Sequence, residues 1–489
     1  MAEDNRRPRE GRRGVRLPNS TGEAGERAVG EDPVEGRRQR GGAAAEGDMD
    51  STQRLEAVYT KLRRIAEKAK RDPQLQFTSL AHLLTVELLG EAYRRLRKAA
   101  SPGVDGITAQ TYEQDLEENL RELHRRLREG RYRAQPVRRV YIEKGDGTWR
   151  PLGVPTLEDK IVQKATVIIL EAITEQDFLP CSYGFRPGRG PQDALEAVFR
   201  AIVRGKVNYV LDADIKGYFD TIVRTHLVDF IQRRVKDRSL LRLIGKWLRA
   251  GVIEEGRLLP VTQGTPQGAV ISPWMANVYL HHVLDQWVEQ EVKPRMRGEI
   301  HLLRYADDFI VGFQDPQDAE RFARVVRKRF AKYGLELSEE KTRLIPFGRF
   351  AEQDLRRQGQ GKPPTFDFLG FTHLCTRGRN GKFTVHVRTA RKRLRLAMQR
   401  TAAWCRTHRH LSVEAQHRAL NRKLRGHYAY YGRRSNLPCL RQYFGFTVRT
   451  WHKWLSRRAQ RRRLSWLAFT DFLRRYPLLR PQVVQHGTG

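Results

Sequence analysis

Three aspartates stand where carboxylates are costly. Asp214 closes an apolar, strand-like run from Asn208 to Ile215, and Asp307 and Asp308 sit between the runs Leu302–Tyr305 and Phe309–Phe313. Adjacent carboxylates repel, so placing them together calls for cations or a polar turn. If both segments are neighbours in one sheet, Asp214 and Asp307 can share two Mg²⁺ ions about 3.5–4 Å apart. Carboxylates suit Mg²⁺, which takes hard oxygen ligands and retains several waters. One ion would lower the pKa of a 3′-hydroxyl; the other would steady a triphosphate and its leaving pyrophosphate. Each piece alone has a plainer reading. Asp is a common turn residue, and Asp214 could be a strand-end cap. Their order and strand context together favour chemistry.

The elements that must position them read as follows. Leu55, Val58, Leu62 and Ile65 recur at helical spacing, and Leu83, Leu84, Leu88, Leu89 and Tyr93 continue the pattern after a break. Ser101 to Gly106 is a loop by its Pro and Gly content. A helix is predicted over 112–128. Val137–Glu143 and Trp149–Val154 read as strands about a turn at Lys144–Gly147. Helices are predicted over 159–175 and 319–333. From about Arg391 onward the pattern is helical and basic, broken at Gly426, Gly432 and Pro438. No fixed-period repeat is visible, which argues against a solenoid.

The chain has 489 residues, with 92 Lys and Arg against 56 Asp and Glu, a formal charge of +36. Such an excess points to a polyanion, nucleic acid above all. It is concentrated: residues 376–489 hold 28 Lys and Arg and two acids, Glu414 and Asp471, so they carry +26 of it. Trp404, Tyr428, Tyr430, Tyr431, Trp451, Trp454 and Trp466 are interleaved there, a mix that suits phosphate contact with base packing, although most must also build helix core. Residues 1–50 are rich in Arg, Gly and Glu without a period and are expected to be a disordered basic extension. No run reaches the length of a membrane span, and no apolar leader follows Met1. Cys181, Cys375, Cys405 and Cys439 are scattered, which disfavours a thiolate zinc site or disulfide scaffold and fits a cytoplasmic setting.

These residues fall into a known order. Ser101-Pro-Gly-Val-Asp-Gly-Ile107, the hairpin from Lys144 through Arg150 to Pro155, and Ser182-Tyr-Gly-Phe-Arg-Pro-Gly-Arg189 come first. Asp214-Ile-Lys-Gly-Tyr-Phe-Asp220, Thr262-Gln-Gly-Thr-Pro-Gln-Gly268, Tyr305-Ala-Asp-Asp308 and Leu335-Glu-Leu-Ser-Glu-Glu-Lys-Thr342 look like polymerase motifs A to D. Phe366–Phe371 and Leu424–Tyr431 close the series. The chain resembles bacterial group II intron-encoded reverse transcriptases, also called maturases, from about Thr52 to Val483. The resemblance implies an α+β right-hand polymerase: N-terminal helices and fingers over 51–200, an antiparallel palm over 201–375, a helical thumb or maturase X domain over 376–445, and a basic DNA-binding tail over 446–489. No paired cysteines follow Cys439, so the expected lineage is one without the C-terminal endonuclease.

Residue by residue, the resemblance makes Asp214, Asp307 and Asp308 the catalytic metal carboxylates, with Asp307 bridging and the Ile215 carbonyl as a further ligand to two Mg²⁺ ions. Lys144 and Arg150 would take the dNTP triphosphate, Phe219 would crowd the sugar 2′ position, Gln267 would approach a base pair or sugar, and Lys341 would protonate pyrophosphate. Arg186 and Arg189 would touch template phosphate or order the fingers. Arg425, Arg457, Arg458, Arg461, Arg462 and Arg463 would contact nucleic acid. Each has a plainer reading as a solvated charge, strand-end aromatic or helix-entry loop.

The function so implied is RNA-directed DNA polymerase, copying RNA template from a DNA primer or target, and binding intron RNA to assist splicing and mobility. The alternatives are an RNA-binding maturase without polymerase activity, which the intact aspartates disfavour, and a domesticated reverse transcriptase in DNA repair or phage defence. Phe219 disfavours RNA synthesis. The charge carries a prediction. A protein that neutralises six to ten phosphates loses about 10³–10⁵ in affinity between about 50 and 200 mM salt. Filter binding of RNA across that range should show this slope; a flat dependence would remove the basic surface from the account.

Overall fold

A computed structural model describes residues 46–143, 149–259, 264–265, 267–458 and 464–484. The first helix, Glu46–Arg71, buries Val58, Leu62 and Ala69 on one face and leaves Lys61, Arg63, Arg64, Lys68 and Lys70 outside. It lies against the helix Leu157–Asp177, as does Val86–Arg95. Thr85, Thr156 and Asp237 each cap a following helix through side-chain oxygens on free backbone N–H groups.

Eleven strands among the described residues make three sheets. In chain order they are β1 (Val137–Glu143), β2 (Trp149–Val154), β3 (Tyr209–Ala213), β4 (Val252–Glu254), β5 (Arg257–Leu259), β6 (Ile300–Tyr305), β7 (Asp308–Phe313), β8 (Arg343–Pro346), β9 (Phe366–Phe368), β10 (Phe371–Arg377) and β11 (Phe383–Thr389). The first sheet runs β2-β1-β4-β5, the second β6-β7-β3-β8, and the third β11-β10-β9. The second sheet is antiparallel throughout. Its strands are apolar on both faces, and one large core fills the helix side with Leu211, Ala213, Phe309, Val311, Phe322, Val326 and Phe330. A smaller core with Val210, Ile310, Phe347, Phe366 and Phe371 joins this sheet to the third one. The mixed α+β architecture and the antiparallel central sheet match the expected fold class.

The expected boundaries fall inside elements. The 200/201 cut lies in the helix Pro191–Val203 and the 375/376 cut in β10. The 445/446 cut lies in the helix Leu437–Ser456. That last cut would divide a single core: Leu394, Leu420, Leu424, Tyr428, Leu440 and Tyr443 pack with Trp451, Phe469 and Leu478. Trp451 is fully buried and donates its indole N–H to Gln416 at 3.0 Å. The basic tail is therefore, over its described residues, part of the helical unit that starts at Arg391. Gly426 does not break its helix, which runs Val413–Tyr431; its position is exposed, with open space where a side chain would be. Gly432 and Pro438 do mark a helix end and a helix start.

No helix among the described residues is long and apolar enough to cross a membrane.

Candidate active site

The site begins with strand register. β3 pairs antiparallel with β7, Ala213 opposite Phe309, so Asp214 leaves β3 opposite Asp308. β6 and β7 form a hairpin closed by Ala306 and Asp307, with Tyr305 facing Asp308. Directly opposed residues in such a ladder have Cβ atoms about 4.5–5.5 Å apart. Three carboxylates thus meet at one end of the central sheet. Asp308 is the first residue of β7 rather than a turn residue.

Beyond Asp214 the chain continues as a short ladder. The Lys216 N–H donates to the Glu336 carbonyl at 2.9 Å, and the Ser338 N–H donates to that of Asp214 at 2.8 Å. This pairing delivers the turn 338–342, from which the Lys341 ammonium reaches Asp214 at 2.8 Å. Ile215 is buried and faces Leu337 in the same ladder.

Charge crowding shows in the proton affinities. Lost hydration, then Asp307, Asp214 and Asp212, push the Asp308 carboxyl up to about 7. Lost hydration and Asp214 also raise Asp307, against the opposing fields of Arg150 and Arg304. Asp212, two residues before Asp214 on the same face of β3, is raised to about 6 by burial, with Arg343 opposing at 3.4 Å. Among the described residues, no three His, Cys, Asp or Glu side chains are gathered closely enough to clasp an ion as they stand. The donor set still fits a hard divalent cation: oxygen ligands whose mutual repulsion a cation would relieve.

Other expected residues are placed as follows. Arg150 is exposed on β2 and its field reaches Asp307. Phe219 lies on the short helix Tyr218–Thr221, half-buried, 5.5 Å from the Tyr218 ring, and not at a strand end. Its carbonyl accepts the Thr265 N–H at 2.8 Å. A Cβ on Gly264, where φ is +75°, would come 2.7 Å from that same carbonyl oxygen, so only glycine lets the two segments close. The Gln267 carbonyl accepts the Gly153 N–H at 2.6 Å, tying this loop to β2. Lys144, Arg461, Arg462 and Arg463 lie outside the described residues.

The basic residues divide. Of the two expectations for Arg186, template contact is ruled out and the ordering role is favoured: its side chain is 3% exposed and bound to Glu175 at 2.9 Å and to the carbonyls of Leu179 and Ser182. It orders the loop. Arg189 is half-buried and donates to the Pro180 carbonyl at 3.0 Å and the Ser182 carbonyl at 3.3 Å. Arg458 donates to the carbonyls of His410 and Leu411 and so pins the end of its helix. Arg425 and Arg457 are exposed, the latter 5.1 Å over the Trp454 ring.

Sequence reasoning missed Arg304, Asp285 and Asn277. Arg304 immediately precedes Tyr305 and is fully buried against the equally buried Asp285 at 2.6 Å. The available signal was a charge of each sign inside apolar stretches, Ile300–Tyr305 and Val278–Val288.

Comparison with known proteins agrees. Residues 142–373 match the family described as reverse transcriptase (RNA-dependent DNA polymerase). Protein YkfC of Escherichia coli (strain K12) is 38% identical over 283 residues, covering 51% of this chain and 74% of that protein. Group II intron-encoded protein LtrA of Lactococcus lactis subsp. cremoris is 29% identical over 459 residues, covering 79% and 76%. Nuclear intron maturase 4, mitochondrial, of Arabidopsis thaliana is 32% identical over 136 residues, covering 28% and 17%.

The Asp308 shift has a consequence for stability. Its folded carboxyl holds a proton up to about 7, whereas an unfolded Asp releases it near about 4. The folded state binds more protons across that window, so its stability falls as pH rises. In EDTA, Asp308→Asn should melt higher than the parent at pH 8, with the gap closing toward pH 4. Equal melting curves at pH 8 would contradict the crowding.

Proposed function

The chain belongs to the group II intron-encoded reverse transcriptases, RNA-directed DNA polymerases by class, and we propose that Asp214, Asp307 and Asp308 are the carboxylates that hold its catalytic cations. The observation that carries this is the register of β3 on β7, which brings the three together beside Lys341. Divalent-cation dependence follows from the family. Hard oxygen donors favour Mg²⁺, which Asp214, Asp307 and Asp308 would hold together with the Ile215 carbonyl. When bound, the cations lower the pKa of the primer 3′-hydroxyl and offset charge on the leaving pyrophosphate.

The chain's own residues do the rest. Arg150, already near enough to Asp307 to oppose its shift, grips the triphosphate by paired N–H bonds; Lys144 joins it by resemblance. The Phe219 ring, fixed through its own carbonyl to Thr265, closes the space beside the sugar 2′ carbon. Gln267 offers a backbone stitched to β2, against which a nascent pair can rest. Lys341 stands two-thirds exposed beside Asp214, placed to give a proton to pyrophosphate. RNA template, DNA primer and dNTPs are the partners of this chemistry. The exposed Arg425 and Arg457, with Arg189 and the undescribed Arg461–Arg463, extend the contact to nucleic acid, including an intron RNA whose splicing the protein assists. The concentration of charge on the helical unit supports that second role.

Primer extension on an RNA template with Mg²⁺ and dNTPs tests the site. Full-length cDNA is expected from the parent and none from Asp307→Ala, whose RNA affinity should stay at the parental level. Loss of RNA binding in that variant would make the carboxylate structural. A second measurement concerns the sugar: Phe219→Ala should raise ribonucleotide incorporation relative to deoxyribonucleotide, and unchanged selectivity would remove the gate.

A further inference from the structure

Arg304 is committed to protein with all five of its N–H donors. Nε and one Nη meet the two oxygens of Asp285 at 2.8 and 2.6 Å. The same Nη donates to Ser182 Oγ at 2.7 Å. The other Nη donates to Asn277 Oδ1 at 2.9 Å and to the Ala306 carbonyl at 3.0 Å. The last bond is the informative one. Ala306 is the first turn residue before Asp307, and its φ is +57°, a left-handed conformation that a residue with a Cβ adopts at a cost. A buried, rigid guanidinium therefore grips the carbonyl of the strained residue that leads into a catalytic carboxylate.

The surroundings converge on the same turn. The segment Cys181–Gly184 runs along β6: the Arg304 N–H donates to the Cys181 carbonyl, and the Tyr183 N–H donates to the Arg304 carbonyl. Gly184 lies so close to the Ala306 amide that a Cβ there would be 2.4 Å from its nitrogen. The Asn277 amide N–H donates to the Gly184 carbonyl at 2.7 Å. Helix geometry supplies the partners. Asn277 and Asp285 are eight residues apart and would point about 80° apart on a regular α-helix. A π-helical turn over His281–Asp285 holds extra residues per turn and brings both side chains onto Arg304.

We propose that Arg304 is a positioning residue for nucleotidyl transfer: through the Ala306 carbonyl it sets the turn and so aims the Asp307 carboxylate, with Asp285, Asn277 and Ser182 holding the guanidinium in place. This rests on the assignment of Asp307 as a cation ligand. Lysine cannot reproduce the planar fork, so Arg304→Lys retains the charge and loses the aim. A misplacement of about 1 Å costs about 10²-fold in rate.

The experiment is a pre-steady-state burst of dNTP addition on an RNA template with a DNA primer, using the full chain. Burst amplitude counts folded sites; burst rate reports chemistry at each. Arg304→Lys should lower the burst rate about 10²-fold at parental primer–template affinity, and Ser182→Ala, which removes one hydrogen bond, should lower it about tenfold. A smaller amplitude at the parental rate would mean a merely structural residue and would overturn the proposal, as would weakened primer–template binding in step with the rate. If Arg304→Lys does not fold, Ser182→Ala decides: a parental rate there overturns the proposal, and a reduced rate at full amplitude sustains it. An Asp307→Ala control that still extended primers would instead sink the site assignment, leaving the two failures distinguishable.

Discussion

One buried ion pair holds the centre of this molecule. Arg304 and Asp285 have no exposed side-chain surface, and a lone charge at that depth is strongly disfavoured. Removing one partner of such a pair costs about 3–5 kcal/mol. The pair also joins parts far apart in sequence. Asp285 belongs to a helix, Arg304 to β6, and Ser182 to a loop strapped along that strand. The turn at Ala306 and Asp307 inherits its conformation from them, because its strained residue, Ala306, is bonded to the same guanidinium. A strained residue persists when its surroundings over-determine it; here they do so with five donors and a glycine cleft.

Electrostatics at the sheet end run against stability. The Asp214 charge raises the proton affinity of Asp212, Asp307 and Asp308, and Asp307 and Asp212 add to the rise at Asp308, a cost that a purely structural sheet end would avoid. Besides Arg304, three cations answer it at different ranges. Lys341 touches Asp214, Arg343 reaches Asp212, and Arg150 opposes the Asp307 shift from the neighbouring sheet. Perturbed groups gathered with specific partners are what a cation-dependent active site presents. The loop carrying Gly264 and Gln267 links that neighbouring sheet to the segment carrying Phe219, so Arg150, Phe219 and the carboxylates share one backbone framework.

The basic C-terminal quarter shows a second economy. Its aromatics do not form one continuous stacking surface. Trp451, Tyr428 and Tyr443 are core, while Trp466 is half-exposed over His452 at 4.2 Å. Arginines cover the outside, and some of them, such as Arg458, also fasten loops. Core and basic surface are thus two sides of the same helices, and over the described residues no division at 445/446 separates them.

The order of motifs, the alternation of strands and the charge excess were legible without coordinates, because each depends on local spacing or on summed composition. So were Asp214, Asp307 and Asp308, since carboxylates at the ends of apolar runs are locally anomalous. The roles of Arg186 and Arg304 were not. A guanidinium reads alike whether it faces phosphate or is sealed in protein, and the difference lies in partners at distances such as Arg186 to Glu175 or Arg304 to Asp285. Domain boundaries failed for a related reason: burial of Trp451 against Gln416 is a long-range contact that no composition shift marks. The sequence by itself determined which chemistry the chain could carry. The tertiary structure decided which charges are paired inside the fold and which stay on its surface, because burial and pairing are properties of the packed chain alone.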